Sequence, residues 1–176
     1  FPYTTLFRSG IKKGLRRSEQ SLGRNPEVWH RRNCTPNDLK AKNKEFLMGK
    51  RVLLPLANGF EEIEAVALAD TMRRGGLDVV IAGVDGEVLK GANGIMVVSD
   101  TDIKNVCSAD FDMIVLPGGY GGTMTLAENE TVQRLIKEFD GARKTVGAIC
   151  AAPIALDRAG VLKEEYTCYP GVPDVI

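Results

Sequence analysis

Cys150 is the residue best placed to act as a nucleophile. It follows an apolar run at residues 145–149 and precedes an Ala- and Leu-rich stretch that begins at Ala151. The run reads as a buried parallel strand and the stretch as a helix. Pro153 falls in the first turn of that helix, where its missing N–H costs nothing. The thiol is therefore expected at a strand-to-helix junction, among small neighbours (Gly147, Ala148, Ala151, Ala152) that let the backbone turn tightly. A helix N-terminus offers unpaired N–H groups and the positive end of the macrodipole. Both favour the thiolate, which is the nucleophilic form. A buried, inert cysteine is the alternative reading of the same pattern.

Two further groups would complete such a site. Glu61, Glu62 and Glu64 stand in the first turn of a second helix. Two of them are expected to be ordinary surface carboxylates favoured by the dipole. One, folded inward near Cys150, would stay protonated, hydrogen-bond the thiolate and lower the thiol pKa. Ile63 reads as a core position, so Glu62 and Glu64 flank the core face, and period alone selects neither. The run Pro117-Gly118-Gly119-Tyr120-Gly121-Gly122 would bring backbone N–H groups close to a bound oxygen. With the Ala151 N–H it would form an oxyanion hole; the alternative is a plain strand-end turn. No Lys-Ser/Thr follows, and Met124 stands where a dinucleotide fingerprint needs glycine, so no nucleotide is expected. The Cys150 junction resembles the nucleophile elbow of the α/β-hydrolases, with Cys in place of Ser.

The elements that must position these groups alternate. Residues 51–57 form a continuous apolar run, a first strand broken by Asn58-Gly59. Apolar residues at helical spacing (Ile63, Val66, Ala67, Ala69) predict a helix over 61–75, closed by Arg73, Arg74 and Gly75-Gly76. A second strand at 78–83 completes a βαβ unit with a right-handed crossover. Further strands are predicted at 95–99 and 113–116, and an amphipathic helix at 130–139 (Val132, Leu135, Ile136, Phe139). This is the pattern of a doubly wound α/β fold, in which working residues gather beyond the carboxyl ends of the strands. Residues 58–64, 117–122 and Cys150 all lie at such ends.

Composition sets the outer bounds. The 176 residues are 44% hydrophobic and 26% charged, which suits one globular domain with or without a tail. No apolar run is long enough for a transmembrane helix, and no signal-peptide pattern opens the chain. The cysteines Cys34, Cys107, Cys150 and Cys168 form no CxxC, and His30 is the only histidine, so zinc is not expected. A cytoplasmic protein with reduced thiols is the expectation. Cys107, in a loop or short helix, and Cys168, in a strand, are expected to be passive. Charge is uneven: residues 1–47 carry 11 Lys or Arg and four Asp or Glu (+7), the remainder 12 and 19 (−7). A basic arm for nucleic acid or membranes is one reading of the leader. The favoured one treats residues 1–47 as a non-native or disordered leader, because Phe-Pro-Tyr-Thr-Thr-Leu-Phe-Arg-Ser resembles a translated sequencing-adapter fragment. The native chain is then expected to start at Met48, with neither nucleic acid nor membrane as partner.

Four segments together carry a family resemblance. They are Gly-Phe-Glu-Glu-Ile-Glu-Ala-Val from Gly59, Val-Leu-Pro-Gly-Gly-Tyr-Gly-Gly from Val115, Ala-Ile-Cys-Ala-Ala-Pro from Ala148 and Thr-Cys-Tyr-Pro-Gly from Thr167. Over about Lys50 to the end, the chain resembles the ThiJ/PfpI superfamily, in its DJ-one branch of protein deglycase and glyoxalase-like proteins. The resemblance implies a flavodoxin-like three-layer α/β/α sandwich with a mostly parallel sheet, at residues 48–176, and a homodimer in the complete protein. It implies Cys150 as nucleophile, Glu64 as the protonated carboxylate, Gly119 and Ala151 as oxyanion donors, and no cofactor or metal. It alone selects Glu64 from the three glutamates. Two departures stand out. Tyr169 replaces a histidine that some relatives carry, and Ala151 replaces the histidine of protease-like relatives, so a Cys–His dyad is lacking and a protease is disfavoured. Family members also continue past the equivalent of Ile176, so a C-terminal part is expected to be missing. The implied activity is a cofactor-independent cysteine enzyme of the glyoxalase III or deglycase type. Its substrates would be small reactive carbonyls, the 2-oxoaldehydes such as methylglyoxal or their adducts. The alternative is an oxidative-stress redox sensor or chaperone that uses the same low-pKa thiol.

Overall fold

The computed structural model describes residues 49–176. The leader, with Trp29, His30 and Cys34, and the expected start at Met48 lie outside the described residues. The described part begins with β1 (Arg51–Leu56), α1 (Glu62–Arg74) and β2 (Asp78–Gly83), followed by a hairpin of β3 (Val88–Lys90) and β4 (Met96–Val98). It continues through β5 (Thr101–Asp102), β6 (Met113–Leu116), α2 (Tyr120–Glu128), α3 (Glu130–Gly141), β7 (Thr145–Ala148) and α4 (Pro153–Arg158). The main sheet is parallel, in the order β5-β2-β1-β6-β7. The hairpin is a separate antiparallel pair.

β1 is apolar on both faces because both faces are covered. Successive side chains point to opposite sides of a strand. Val52, Leu54 and Leu56 accordingly join Ala65 and Ala69 of α1 and Leu89 of the hairpin in one core. Leu53 joins Val132, Leu135, Ile136 and Phe139 of α3 and Ile154 and Ala155 of α4 in the other. Two cores on either side of one sheet make a flavodoxin-like α/β sandwich. No helix among the described residues is long and apolar enough to cross a membrane.

Three expectations about the elements need correction. Ile63 is not a core residue: it is 78% exposed, and Val66 is 53% exposed. The inward face of α1 is set by Ala65 and Ala69, one helical turn apart, and at about 100° per residue Ile63 points away from them. The glycine-rich run is not a loop throughout. α2 begins at Tyr120, with Gly119 just outside it as N-cap, so Gly121 and Gly122 are helical. Buried Thr123, Leu126 and Ala127 and packing against α4 outweigh the weak helix propensity of the two glycines. Cys168 lies in no strand; past α4 the only regular element is a single turn of 3₁₀ helix, Val172–Asp174.

The register of the sheet matters for the site. β6 and β7 pair from Met113↔Thr145 to Leu116↔Ala148, so both strands end level. The Ile149 N–H continues the ladder to the Leu116 carbonyl at 3.2 Å. Whatever follows Leu116 therefore lies beside whatever follows Ile149.

Candidate active site

Cys150 has φ of 60°, the left-handed region that non-glycine residues rarely enter. The surrounding bonds hold it there. Ala152 N–H donates to the Ile149 carbonyl at 3.0 Å, which turns the chain, and Tyr169 N–H donates to the Cys150 carbonyl at 2.9 Å. The sharp turn lifts the thiol out of the sheet toward the loop after β6. There the sulfur accepts hydrogen bonds from the Gly119 and Ala151 N–H groups.

Glu64 comes from the other side, on the first turn of α1. Its side chain is buried, 6% exposed, and shares a hydrogen bond with the Cys150 thiol. Its Oε2 also accepts from the Gly118 N–H at 2.8 Å. Gly118 is wedged between the two: a Cβ added there would lie 2.5 Å from both Cys150 Cβ and Glu64 Oε2. Gly119 has φ of 89°, and a Cβ there would strike the backbone at Glu61 and Gly59. Further bonds tie the segments after β1 and β6 together: Glu61 N–H donates to the Gly118 carbonyl at 3.0 Å and Gly122 N–H to the Gly59 carbonyl at 3.2 Å, while Thr123 N–H donates to the Gly119 carbonyl at 2.8 Å at the start of α2. Cys150, Glu64, Gly119 and Ala151, the residues singled out from the sequence, are thus brought into one cluster.

The electrostatics differ from the expectation of a thiol lowered by its helix. Burial pushes Cys150 up, and the negative charge of Glu64 pushes the same way; the N–H groups of Gly119 and Ala151 pull it back but do not win. Burial likewise raises Glu64, against the pull of Gly118 N–H and the Cys150 hydrogen bond, and the charge of Glu61 adds to the rise. Two N–H donors, one from the loop after β6 and one from the turn before α4, do not outweigh burial beside a carboxylate. The two groups are best treated as a pair sharing a proton. With the proton on Glu64 the repulsion vanishes, and its O–H and the two N–H groups all donate to sulfur. That is the reactive form.

The pair opens into a cavity of about 420 Å³, lined by Cys150 and Ala151, by Glu61, Gly119 and Tyr120, and by Tyr169 to Val172 with Val175. Tyr169 thus takes part twice, through its backbone bond to Cys150 and as a cavity wall. It brings no second base.

Residues 50–176 match the model of the DJ-1/PfpI family. The chain belongs to the DJ-1/PfpI family. Protein dj-1beta of Drosophila melanogaster is 38% identical over 127 residues, which cover 71% of this chain and 68% of the relative. The glutathione-independent glyoxalase DJR-1.2 of Caenorhabditis elegans is 39% identical over 123 residues, 70% of this chain and 65% of the relative. Protein DJ-1 homolog B of Arabidopsis thaliana is 40% identical over 124 residues, 69% of this chain, but the chain spans only 28% of that longer protein. Among solved structures, oxidized DJ-1 of Toxoplasma gondii superposes with a TM-score of 0.69 at 35% identity, covering 73% of this chain and 71% of that one.

Within this DJ-1/PfpI domain the three glutamates divide differently from the expectation of two surface carboxylates. Glu62 is also buried, 4% exposed. Its carboxylate accepts from the Asn93 N–H at 2.6 Å, from Asn93 Nδ2 at 2.9 Å and from the Ile95 N–H at 3.4 Å. Burial pushes Glu62 up, but these bonds prevail and hold it below the usual carboxylate value. It fastens the hairpin loop to α1, and Gly91 leaves room for it, since a Cβ there would strike the Glu62 carboxylate. The one sequence signal for this was the Asn93-Gly94 turn, whose backbone N–H groups need an acceptor. Cys107 is exposed and Cys168 half-buried; neither lines the cavity.

Proposed function

We propose that this domain is a cofactor-independent cysteine enzyme acting on small reactive 2-oxoaldehydes, methylglyoxal among them. The observation that carries the reading is the Glu64–Cys150 pair, a buried acid sharing a hydrogen bond with a thiol that faces a cavity. A family member named as a glutathione-independent glyoxalase supports it. The space at the thiol favours turnover over the redox-sensor reading, which needs no room for a substrate.

Each step balances without an external oxidant. The Cys150 thiolate adds to the aldehyde carbon, forming a C–S bond while the carbonyl electron pair moves to oxygen. Gly119 and Ala151 N–H groups, aimed at the sulfur, lie next to that oxygen. Glu64 gives the oxygen its proton, and a hemithioacetal results. Now a carboxylate, Glu64 removes the hydrogen from the former aldehyde carbon, whose C–H electron pair forms the double bond of an enediolate while the ketone electron pair moves to its oxygen. Glu64 returns the proton to the neighbouring carbon, and the hydroxyl proton on the former aldehyde carbon passes to the former ketone oxygen, leaving a thioester of a 2-hydroxyacid. Water cleaves the thioester, releasing lactate from methylglyoxal and restoring the thiol. Burial of Glu64 suits this two-way traffic, because it brings the carboxyl closer to neutrality.

The test is lactate formation from methylglyoxal by the full chain and its Cys150→Ser variant. The variant is expected to lose at least about 100-fold in kcat/KM. Undiminished turnover would remove Cys150 from the chemistry.

A further inference from the structure

We propose that Glu61 sets the charge class of the molecules that reach Cys150, admitting uncharged 2-oxoaldehydes with an apolar substituent and turning away those that carry a carboxylate. The inference deepens the proposed function and rests on its reading of the cavity as the substrate site. Among the described residues lining the cavity, Glu61 has the only charged side chain, with no lysine or arginine beside it. The rest of the wall is apolar or uncharged: Tyr120, Tyr169, Pro170, Val172 and Val175. Two aromatic rings and two valines suit a substituent that is itself apolar. Glyoxylate, which bears its acid next to the aldehyde, would carry its negative charge into that space.

Among the described residues no hydrogen bond or ion pair engages the Glu61 side chain. Glu61 is the N-cap of α1, yet its side chain makes no capping hydrogen bond. Its backbone N–H holds the Gly118 carbonyl at 3.0 Å, so the contact that shapes the nucleophile's loop also fixes where the carboxylate is carried. Its charge is felt inside the site, since it adds to the rise of the Glu64 pKa. A fixed like charge within several ångströms, in partly aqueous surroundings, changes local concentration by several-fold to about tenfold.

The experiment compares the alkylation rate of Cys150 by iodoacetamide, which is neutral, with that by iodoacetate, which is an anion. It uses the full chain and mass spectrometry. Both reagents consume the same thiolate, so any effect of Glu61 on the Glu64–Cys150 proton cancels in the ratio. Glu61→Gln is expected to lower the neutral-to-anionic ratio by about three- to tenfold. Glu61→Ser, which supplies a good helix cap, is expected to do the same and guards against a folding defect. The exposed Cys107 reports the ratio away from the cavity and is expected not to change. A Cys150 ratio unaltered in both variants overturns the role of Glu61. The readout needs no turnover, so absent lactate formation would sink the proposed reaction, whereas an unaltered ratio would sink this inference.

Discussion

Glu62 and Glu64 lie two residues apart on one turn of one helix, are the same residue type and are both buried, yet they end in opposite states. Glu62 meets a hairpin loop that offers it three N–H donors, and its pKa falls. Glu64 meets one N–H and a thiol, and its pKa rises. The first is a fixed acceptor that organises a turn. The second has too few donors to hold its charge comfortably, which leaves it free to carry a proton. Burial alone does not make a carboxylate reactive; what decides is the number of donors it meets there.

The largest effect on this contrast is expected from Gly118→Ala. The new methyl would intrude on Cys150 and Glu64 while leaving the Glu62 half alone. Overpacking of this kind costs about 1–3 kcal/mol. The urea midpoint should fall, and methylglyoxal turnover should fall with it. A variant of unchanged stability and activity would mean that the pair does not close around Gly118.

Glu64→Gln sharpens the contrast next. It removes the charge that holds the Cys150 thiol up, so the midpoint of Cys150 alkylation against pH should move down. Lactate formation should nevertheless fall by about 100-fold, because the proton carrier is gone. Glu62→Gln, which touches hairpin and not thiol, should leave the alkylation midpoint in place. A shift of similar size in both variants would erase the distinction.

The smallest effect is on how stability follows pH. Glu62 is lowered from its usual 4.5, so its contribution is present above that value and lost as pH falls through the folded one. Glu64 is raised from the same 4.5, so its contribution is present below that value and lost as pH rises through the folded one. Urea midpoints across the acid range should therefore fall less steeply toward low pH in Glu62→Gln. In Glu64→Gln they should lose the decline above 4.5. Curves that change in the same sense in both variants would contradict the opposite signs.

Much of the architecture was readable along the chain. The strand at Met113–Leu116 agrees residue for residue with its apolar run, and β2 does as well. The elbow was legible because its signal is local: an apolar strand, small residues, then Pro153 at the helix start. Helix α1 was also legible, but its orientation was not. Ile63 and Val66 are apolar and properly spaced, yet the sheet receives Ala65 and Ala69, whose small side chains let the helix approach closely. Tyr120-Gly121-Gly122 looked like a turn because glycine is a poor helix former, and tertiary packing overrode that preference.

Consecutive residues were enough to fix the alternation of strands and helices, the position of Cys150 at a tight junction and the glycines that let other groups approach it. These follow from local sterics and from the period of apolar residues, both written in consecutive positions. Long-range packing chose which glutamate meets the thiol, which meets the hairpin and which lines the cavity. It also decided that the Cys150 thiol is pushed up rather than down. Those outcomes depend on burial and on partners distant in the chain: Gly118 lies 54 residues from Glu64, and Cys150 lies farther still. Electrostatic energy follows distance in space and the water excluded there, and neither is a property of neighbouring residues in sequence.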